Sequence, residues 1–393
     1  MLSIQDLDLR GKSVFLRVDY NIPLDKNDNI TDDSRIKTSL PTLQYLLDQG
    51  ARVIIASHLG RPKGSFKPEF SVKPVAQRLS ELIHNDVIVA PDVIGDEVDK
   101  LKRELKDGQI LMLENLRFYE GETNNDPSFA KKLASGIDYY VNDSFATCHR
   151  THASIVAITD FIPKSAAGML MKKEVDHLSQ IIFQPEKPYV AILGGKKVSD
   201  KITVIESLLD KVDVLLIGGA MSYTFFGAQG LDIGKSFIEE DKKDLSLKLL
   251  EMADKKGVDL HLPIDHIAAP DIDSPEEAIH IDGFPIPSQM TALDIGPKTI
   301  TAYSDQIIRA KTLFWNGPMG VFEVEEFSRG TTEIAKAVAR SGAYAVIGGG
   351  ESAAAVYKIS VAGKISHIST GGGASLEFIT NGTLPGIEVL KES

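Results

Sequence analysis

Two glycine triplets near the end of the chain, Gly348–Gly350 and Gly371–Gly373, each follow a short apolar run and precede a helix-forming segment. A buried strand, a turn without Cβ atoms and a helix N-terminus together offer backbone N–H groups and a positive dipole end to an anion. Strand-like segments also run into glycine at 194–195, 218–219 and 317. Five such turns in one half of the chain predict a parallel sheet whose strand ends bind a phosphate-rich ligand.

Charged and amide side chains follow strand-like segments of the N-terminal half in the same way. Because loops at the carboxyl ends of parallel strands share one edge of a sheet, we expect these residues to form one site, where guanidinium groups bind carboxylate and phosphate. The residues are Asp19, Asn21, His58, Arg61, Arg117 and Arg150, with Arg35 alongside. For Arg35 a second interpretation stays open, an ordinary ion pair with Asp32 or Asp33 at the start of a helix.

Lys197 and Lys201 are four residues apart where a helix is predicted after the turn at 194–195, so we expect them on one helix face. Two cations there repel each other and oppose the helix dipole, which a phosphate between them would offset. The alternative is a solvated pair of lysines balanced by Asp200 and Glu206.

The segment 312–323, TLFWNGPMGVFE, predicts a strand that ends abruptly, because a proline flanked by glycines cannot continue a central strand. Asn316 and Glu323 are its polar groups within reach of a ligand.

Composition narrows the class of protein. A length of 393 residues favours two domains, and a net charge of −12 argues against nucleic-acid binding. We find no apolar run long enough to span a bilayer and no leader at Met1, so we expect no membrane attachment. Cys148 is the only cysteine, which excludes internal disulfides and favours the cytoplasm. Together with His149 and His152 it makes a poor zinc site, since structural zinc needs four ligands.

Three functions fit these patterns. A phosphotransferase would bind a small acidic phosphate ester in one half and a nucleotide in the other. The second is a nicotinamide-dependent dehydrogenase, because residues 348–353 formally fit the dinucleotide fingerprint. The next strand, however, ends in Ser369-Thr370-Gly371 and lacks the acidic residue that binds the ribose in that fold. The third is a non-catalytic nucleotide-binding module, for which the sequence shows no positive feature. A Walker-A motif is absent from the sequence, so a kinase here is not of the P-loop class.

Long motifs add a specific resemblance. They occur in order over nearly the whole chain and include RVDYN, DDSRI, SHLGRP, ENLRF, NDSFATCHRTHAS, AILGGKKVSDKI, LDIGP, WNGPMGVFE, IGGGES and STGGGASLE. With these motifs the sequence resembles the phosphoglycerate kinases of bacterial type. The resemblance implies an α/β monomer of two doubly wound parallel-sheet (Rossmann-like) domains facing across a hinge cleft. The implied divisions are an N-terminal domain over 1–168, a linker over 169–184, a C-terminal domain over 185–378 and a tail over 379–393 that docks on the N-terminal domain.

The resemblance also implies an activity, the reversible Mg²⁺-dependent transfer of a phosphoryl group between 1,3-bisphosphoglycerate and ADP, giving 3-phosphoglycerate and ATP. Direct in-line transfer and hinge closure are expected. By matching position, the substrate would contact Asp19, Asn21, Arg35, His58, Leu59, Gly60, Arg61, Arg117 and Arg150. The nucleotide would contact Lys197, Lys201, Gly219, Asn316, Glu323, Gly349, Gly350, Glu351 and Ser352. The groups expected to act in catalysis are Arg35, Lys197, Lys201, Gly349 and Gly372.

Two departures from the family pattern bear on the nucleotide site. Glu351 stands where the family usually has an aspartate, the expected Mg²⁺ ligand, and the extra methylene leaves open whether it binds the ion directly or through a water. Lys196 stands where the family commonly has alanine.

Overall fold

The computed structural model describes residues 1–27 and 29–390, and these form two compact units. The first unit contains Met1–Val175 and the described residues from Thr383 onward, and the second contains Asp176–Gly382. The division falls within the helix Met169–Phe183, a segment that the sequence predicted as a linker. Each unit contains a parallel sheet, so the predicted α/β class with two parallel sheets is confirmed.

A six-stranded parallel sheet forms the centre of the first unit. Its strands are β1 (Ser13–Arg17), β2 (Arg52–Ala56), β3 (Val87–Val89), β4 (Ile110–Met112), β5 (Tyr139–Asn142) and β6 (Lys164–Ala167). They lie in the order β3-β4-β2-β1-β5-β6. The helices are α1 (Ser34–Asp48), α2 (Lys73–Ile83), α3 (Asp96–Glu104), α4 (Glu120–Thr123) and α5 (Pro127–Leu133), followed by α6 (Met169–Phe183), which contains the division.

The strand order of the first unit reverses at β1, since β2, β3 and β4 lie on one side of it and β5 and β6 on the other. Every residue of β1 is buried, as expected for a central parallel strand covered on both faces. Ligands of open α/β sheets bind outside the carboxyl ends of the strands at such a reversal. Asp19, just beyond β1, therefore lies where a ligand is expected.

The second unit has its own six-stranded parallel sheet. Its strands are β7 (Tyr189–Leu193), β8 (Val214–Ile217), β9 (Asp259–His261), β13 (Thr312–Asn316), β14 (Tyr344–Gly348) and β15 (His367–Ile368). A separate antiparallel sheet contains β10 (His266–Ala269), β11 (Ile279–Ile281) and β12 (Thr291–Ile295). The helices are α7 (Ile202–Leu208), α8 (Ser222–Ala228), α9 (Lys243–Lys256), α10 (Pro297–Arg309), α11 (Arg329–Ser341), α12 (Gly350–Lys358) and α13 (Gly373–Asn381).

The parallel sheet of the second unit has the order β15-β14-β13-β7-β8-β9, so it reverses between β7 and β13. The five glycine turns follow β15, β14, β13, β7 and β8, which are neighbours in this order. The sequence therefore predicted both the strands and the shared edge that their turns form.

The antiparallel sheet is not predicted by the sequence. Its strands have three to five residues, β11 is largely exposed, and the pairing of β10 with β12 is irregular at Ile267 and Ala268. Such short strands lack the continuous apolar runs that mark the buried parallel strands.

The described end of the chain packs within the first unit as a short helix, α14 (Pro385–Glu388). Gly386 N–H donates a hydrogen bond of 2.9 Å to the Cys148 carbonyl, and Leu384 and Ile387 are buried. The last part of the predicted tail, residues 391–393, lies outside the described residues. Among the described residues, no helix is long and apolar enough to cross a membrane.

Candidate functional site

In the first unit, the loop after β1 and the start of α1 bring Asp19 and Arg35 together. Arg35 Nη1 donates to Asp19 Oδ2 over 2.6 Å, and the Arg35 side chain remains 44% exposed. Asp33 instead pairs with Lys37 and Arg78, at 2.8 Å each. The alternative that pairs Arg35 with an acid of its own helix start is therefore wrong, and its partner belongs to the predicted anion site.

A hydrogen-bond network fixes the loop that follows β2. Asn115 accepts from Leu59 N–H over 3.1 Å and donates to the Leu59 carbonyl over 2.6 Å. Gly60 N–H donates to Asn21 Oδ1 over 2.8 Å, and Arg117 Nη1 donates to the Gly60 carbonyl over 2.8 Å. The predicted residues Asn21, Leu59 and Gly60 thus hold one another in place, and Asn115 braces them.

His58 is buried between cationic side chains. Its Nδ1 lies 3.4 Å from Arg17 Nη2. Burial lowers the pKa of His58 well below its usual value, and the charges of Arg17, Arg117 and Arg150 lower it further. His58 is consequently a neutral imidazole near pH 7, able to form a hydrogen bond with a ligand but not to attract it by charge.

A cavity of about 610 Å³ in the first unit is lined by the predicted arginines Arg61, Arg117 and Arg150. Lys63 and His152 also line it. Burial lowers the pKa of Arg117 to about 10, and the neighbouring charge of Arg150 contributes. Neighbouring cations are stabilised by a shared anion, so this cavity suits a phosphate or carboxylate.

A buried hydrogen-bond network supports this site and is not predicted by the sequence. Arg17, fully buried in β1, donates from Nε to Ser154 Oγ over 2.9 Å and also donates to the Val18 carbonyl. Ser154 Oγ in turn donates to the buried carboxylate of Glu122 over 2.7 Å. One feature of the sequence could have revealed this network: Arg17 is a single arginine inside the apolar segment SVFLRV. A charge buried in such a strand requires hydrogen-bond partners.

In the second unit, three of the glycine turns interlock. Gly194 N–H donates to the Asn316 carbonyl over 2.9 Å, and Gly195 N–H donates to the Pro318 carbonyl over 3.1 Å. A Cβ on Gly194 would lie 2.0 Å from the Pro318 carbonyl oxygen, and one on Gly219 would lie 2.5 Å from the Gly195 carbonyl oxygen. These glycines permit close backbone packing, and their N–H groups already donate hydrogen bonds to other groups of the protein. The prediction that all five turns offer N–H groups to an anion is therefore wrong for these three.

The other two glycine turns are open. Gly350 and Gly373 begin α12 and α13, and the N–H groups of Gly349, Gly350, Gly372 and Gly373 have no acceptor within the described part of the chain. A Cβ on Gly350 or Gly372 would meet nothing within 4 Å. Two helix N-termini with unused donors thus face open space, which is the arrangement that binds phosphate.

Lys197 and Lys201 do not share a helix face, contrary to prediction. The helix α7 begins at Ile202, so Lys197 lies in the preceding loop and Lys201 at the N-cap position. Lys201 Nζ donates to Asn316 Oδ1, and burial lowers the pKa of Lys201. Over residues 1–27 and 29–390 neither lysine forms an ion pair, although the nearby charges of Asp200 and Glu351 partly offset the lowering of the Lys201 pKa by burial.

A cavity of about 470 Å³ lies at the reversal of the second sheet. This volume is typical of sites for small ligands. Glu323 and Glu351 line it, whereas the predicted contact Ser352 is buried and its hydroxyl accepts from Gly317 N–H over 2.7 Å. Its apolar lining includes Ala220, Tyr223, Phe237, Ile272, Ala292, Leu293, Met319 and Val321, and the predicted contact Gly219 also lines it.

Asp294→Asn is expected to abolish a loss of folding stability that the wild type shows as pH rises. Asp294 is buried in the cavity wall, accepts from Gly330 N–H over 2.7 Å, and has no partner for its Oδ1. Burial raises the pKa of Asp294 to about 8, so between about pH 4 and pH 8 the folded state keeps a proton that the unfolded chain releases. Wild-type stability then falls as pH rises through this window, by at most about 1.4 kcal/mol per pH unit.

The asparagine keeps an acceptor for Gly330 but cannot ionise. Thermal unfolding of both proteins between about pH 5 and pH 8 should therefore show the variant gaining on the wild type as pH rises. Melting curves that shift in parallel with pH would contradict this account.

Comparisons with known proteins agree with the geometry. The sequence model of the family "Phosphoglycerate kinase" matches residues 4–382. The chain belongs to the phosphoglycerate kinase family. The phosphoglycerate kinase of Koribacter versatilis is 52% identical over 99% of this chain and 98% of its own length. The cytosolic phosphoglycerate kinase of Triticum aestivum is 52% identical over 100% of this chain and 98% of its own.

Solved structures of phosphoglycerate kinases share the fold. The structure from Coxiella burnetii has a TM-score of 0.90 and 41% identity, covering 99% of this chain and 98% of its own. That from Pyrococcus horikoshii has a TM-score of 0.86 and 36% identity with the same coverage. Family membership selects among the three functions considered from sequence. The phosphotransferase is retained, and the dehydrogenase is set aside.

Proposed function

We propose that the protein transfers a phosphoryl group reversibly between 1,3-bisphosphoglycerate and ADP, giving 3-phosphoglycerate and ATP. The observation that carries the proposal is the presence of two anion sites with different chemistry. Each lies at a reversal of strand order in a phosphoglycerate kinase fold. One is rich in arginine, and the other combines glycine turns, lysines and an apolar cavity. The two chemistries match an acidic phosphate ester and a nucleotide.

The first unit supplies the proposed phosphoglycerate site. Arg61, Arg117 and Arg150 would bind the remote phosphate or the carboxylate, since guanidinium forks fit both groups. Asp19 and Asn21 lie beside Arg35 and the loop after β2, where they would orient the substrate through hydrogen bonds.

The second unit supplies the proposed nucleotide site. Its apolar cavity would hold the base and ribose, with Glu323 in reach of the ribose hydroxyls. The phosphates would bind Lys197, Lys201 and the unused N–H groups of Gly349 and Gly350, at the start of α12. Asn316, which accepts from Lys201, would hold that lysine in position.

A single carboxylate in the second unit fits a bound Mg²⁺. Glu351 lies exposed in the first turn of α12 and lines the nucleotide cavity. Among the described residues no group of three or more His, Cys, Asp or Glu side chains could hold a metal ion alone. Mg²⁺ commonly uses one or two carboxylates together with substrate phosphates, so Glu351 suits an ion shared with the nucleotide. When bound, the ion neutralises charge on the phosphate oxygens.

The residues of the chain then act by position and charge. An acyl phosphate reacts in line with the terminal oxygen of ADP without a covalent intermediate on the protein. Arg35, Lys197, Lys201 and the N–H groups of Gly349 and Gly372 are the proposed partners of the charge that develops on the transferred group. Neutral His58 would donate or accept a hydrogen bond at the substrate.

Closure of the two domains over both ligands is part of the proposal, because exclusion of water protects the acyl phosphate from hydrolysis. Small-angle scattering is expected to show a smaller radius of gyration with 3-phosphoglycerate and nucleotide together than with either alone. A radius that stays the same would contradict closure. We also infer a cytoplasmic location, supported by the single buried thiol and by the names of cytosolic relatives. The protein is proposed to be a monomer, which the mass from scattering tests.

Crossed titrations test the assignment of ligands to units. Calorimetry with 3-phosphoglycerate and with ADP is run on the wild type, Arg117→Ala and Lys201→Ala. Arg117→Ala is expected to weaken 3-phosphoglycerate binding by about tenfold or more and leave ADP binding unchanged, with the converse for Lys201→Ala. If either variant loses both ligands while its melting temperature is unchanged, the division between the two sites is wrong. ADP binding without any 3-phosphoglycerate binding would favour the nucleotide-binding module.

A further inference from the structure

Lys196 is a cation of the nucleotide cavity that the proposed function has not used. It directly follows the Gly194-Gly195 turn after β7 and lines the cavity together with Lys235 and Phe237. Its Nζ lies over the Phe237 ring, 5.1 Å from the ring centroid. Lys196 therefore has a defined position at the cavity wall even though its side chain is exposed.

The charge of Lys196 is not balanced by a carboxylate of the protein. Glu323 and Glu351 line the same cavity, yet within the described residues Lys196 forms no ion pair and no side-chain hydrogen bond. An exposed ammonium over an aromatic ring gains only modest energy, so the contact with Phe237 fixes the position of the charge without neutralising it. An anionic ligand in the cavity would meet a cation with no competing partner.

We propose that Lys196 is a positioning residue for the nucleotide, whose ammonium attracts the phosphate chain from the side of Phe237. This inference rests on the proposed function, because it assumes that ADP or ATP occupies the cavity. Lys196 then adds its charge to those proposed for Lys197 and Lys201 and to that of Lys235, which also lines the cavity. The attraction acts over several ångströms through partly exposed space, so it weakens with added salt.

Phe237 has a separate part in this arrangement. The ring is half-buried, and its face holds the lysine at the wall instead of leaving it free in solvent. Phe237→Leu keeps an apolar wall and the charge of Lys196 but removes the aromatic face. Its effect on ADP affinity is expected to be smaller than that of removing the charge.

The test compares ligands that share a nucleoside and differ in charge. Dissociation constants for adenosine, AMP and ADP are measured by displacement of a fluorescent ADP analogue from the wild type, Lys196→Gln and Lys248→Gln. Lys248 is an exposed lysine of α9 in the same unit that does not line the cavity, so it controls for net charge. Thermal melting of each variant checks that it is folded.

Lys196→Gln is expected to raise the ADP dissociation constant about threefold to tenfold at low ionic strength, with less effect on AMP and none on adenosine. The effect should shrink in about 0.5 M salt, and Lys248→Gln should match the wild type. Equal weakening of adenosine and ADP, or no difference between the two variants, would overturn the role of Lys196. If the wild type itself binds no ADP, the nucleotide site of the proposed function fails instead.

Discussion

Arg35→Ala is expected to lower kcat by about two to three orders of magnitude while changing ADP affinity by less than about twofold, since removal of one donor to a developing charge has effects of this size. Arg35 is half-exposed at the start of α1, and Asp19, another predicted site residue, is its ion-pair partner. This pair holds the guanidinium beside the loop that follows β1, within the first unit. Steady-state kinetics and ADP calorimetry on the same preparation measure the two effects.

Lys37→Ala is the matched control for this prediction. Lys37 lies on the same helix, is exposed, and pairs with Asp33 outside the site. Its loss should leave kcat near the wild-type value, and Arg35→Lys should recover only part of the activity because an ammonium lacks the planar fork. A large loss of ADP binding in Arg35→Ala would show that this residue serves the nucleotide.

Glu351→Gln is expected to lower kcat by about a hundredfold and to weaken metal binding to the ADP complex, because a neutral amide is a poor Mg²⁺ ligand. Glu351 is the exposed carboxylate in the first turn of α12 at the cavity. Titration of Mn²⁺ into the ADP complex, followed by electron paramagnetic resonance, measures metal affinity independently of activity.

Two further variants define what Glu351 does. Glu351→Asp restores the usual residue of the family and is expected to keep activity within about threefold of the wild type, because the charge is retained and Mg²⁺ readily keeps waters. Glu323→Gln removes the other glutamate that lines the cavity and should change nucleotide affinity more than metal affinity. Wild-type metal binding in Glu351→Gln would exclude this residue as a ligand.

The parallel sheets were predictable because their strands are continuous apolar runs that end in glycine or polar turns. The strand β7 is fully buried and runs directly into Gly194, and β14 runs into Gly349. The shared edge of the glycine turns followed from strand pairing alone, since parallel neighbours place their carboxyl ends together.

Local sequence could not reveal how the turns use their N–H groups. Gly195 and Gly349 each follow a parallel strand in a glycine-rich turn, but of the two only the Gly195 N–H has an acceptor among the described residues, the carbonyl of Pro318. The buried chain from Arg17 through Ser154 to Glu122 joins residues more than a hundred positions apart. Such partners depend on tertiary packing, which no spacing within a single element encodes.

The central claim, phosphoryl transfer between a phosphoglycerate and a nucleotide, is tested most directly by a coupled assay. The protein is mixed with 3-phosphoglycerate, ATP and Mg²⁺, and added glyceraldehyde-3-phosphate dehydrogenase couples consumption of the product to NADH oxidation. We predict oxidation that requires all three components and is nearly abolished by Arg35→Ala. A folded protein that binds ADP but supports no oxidation would contradict the claim.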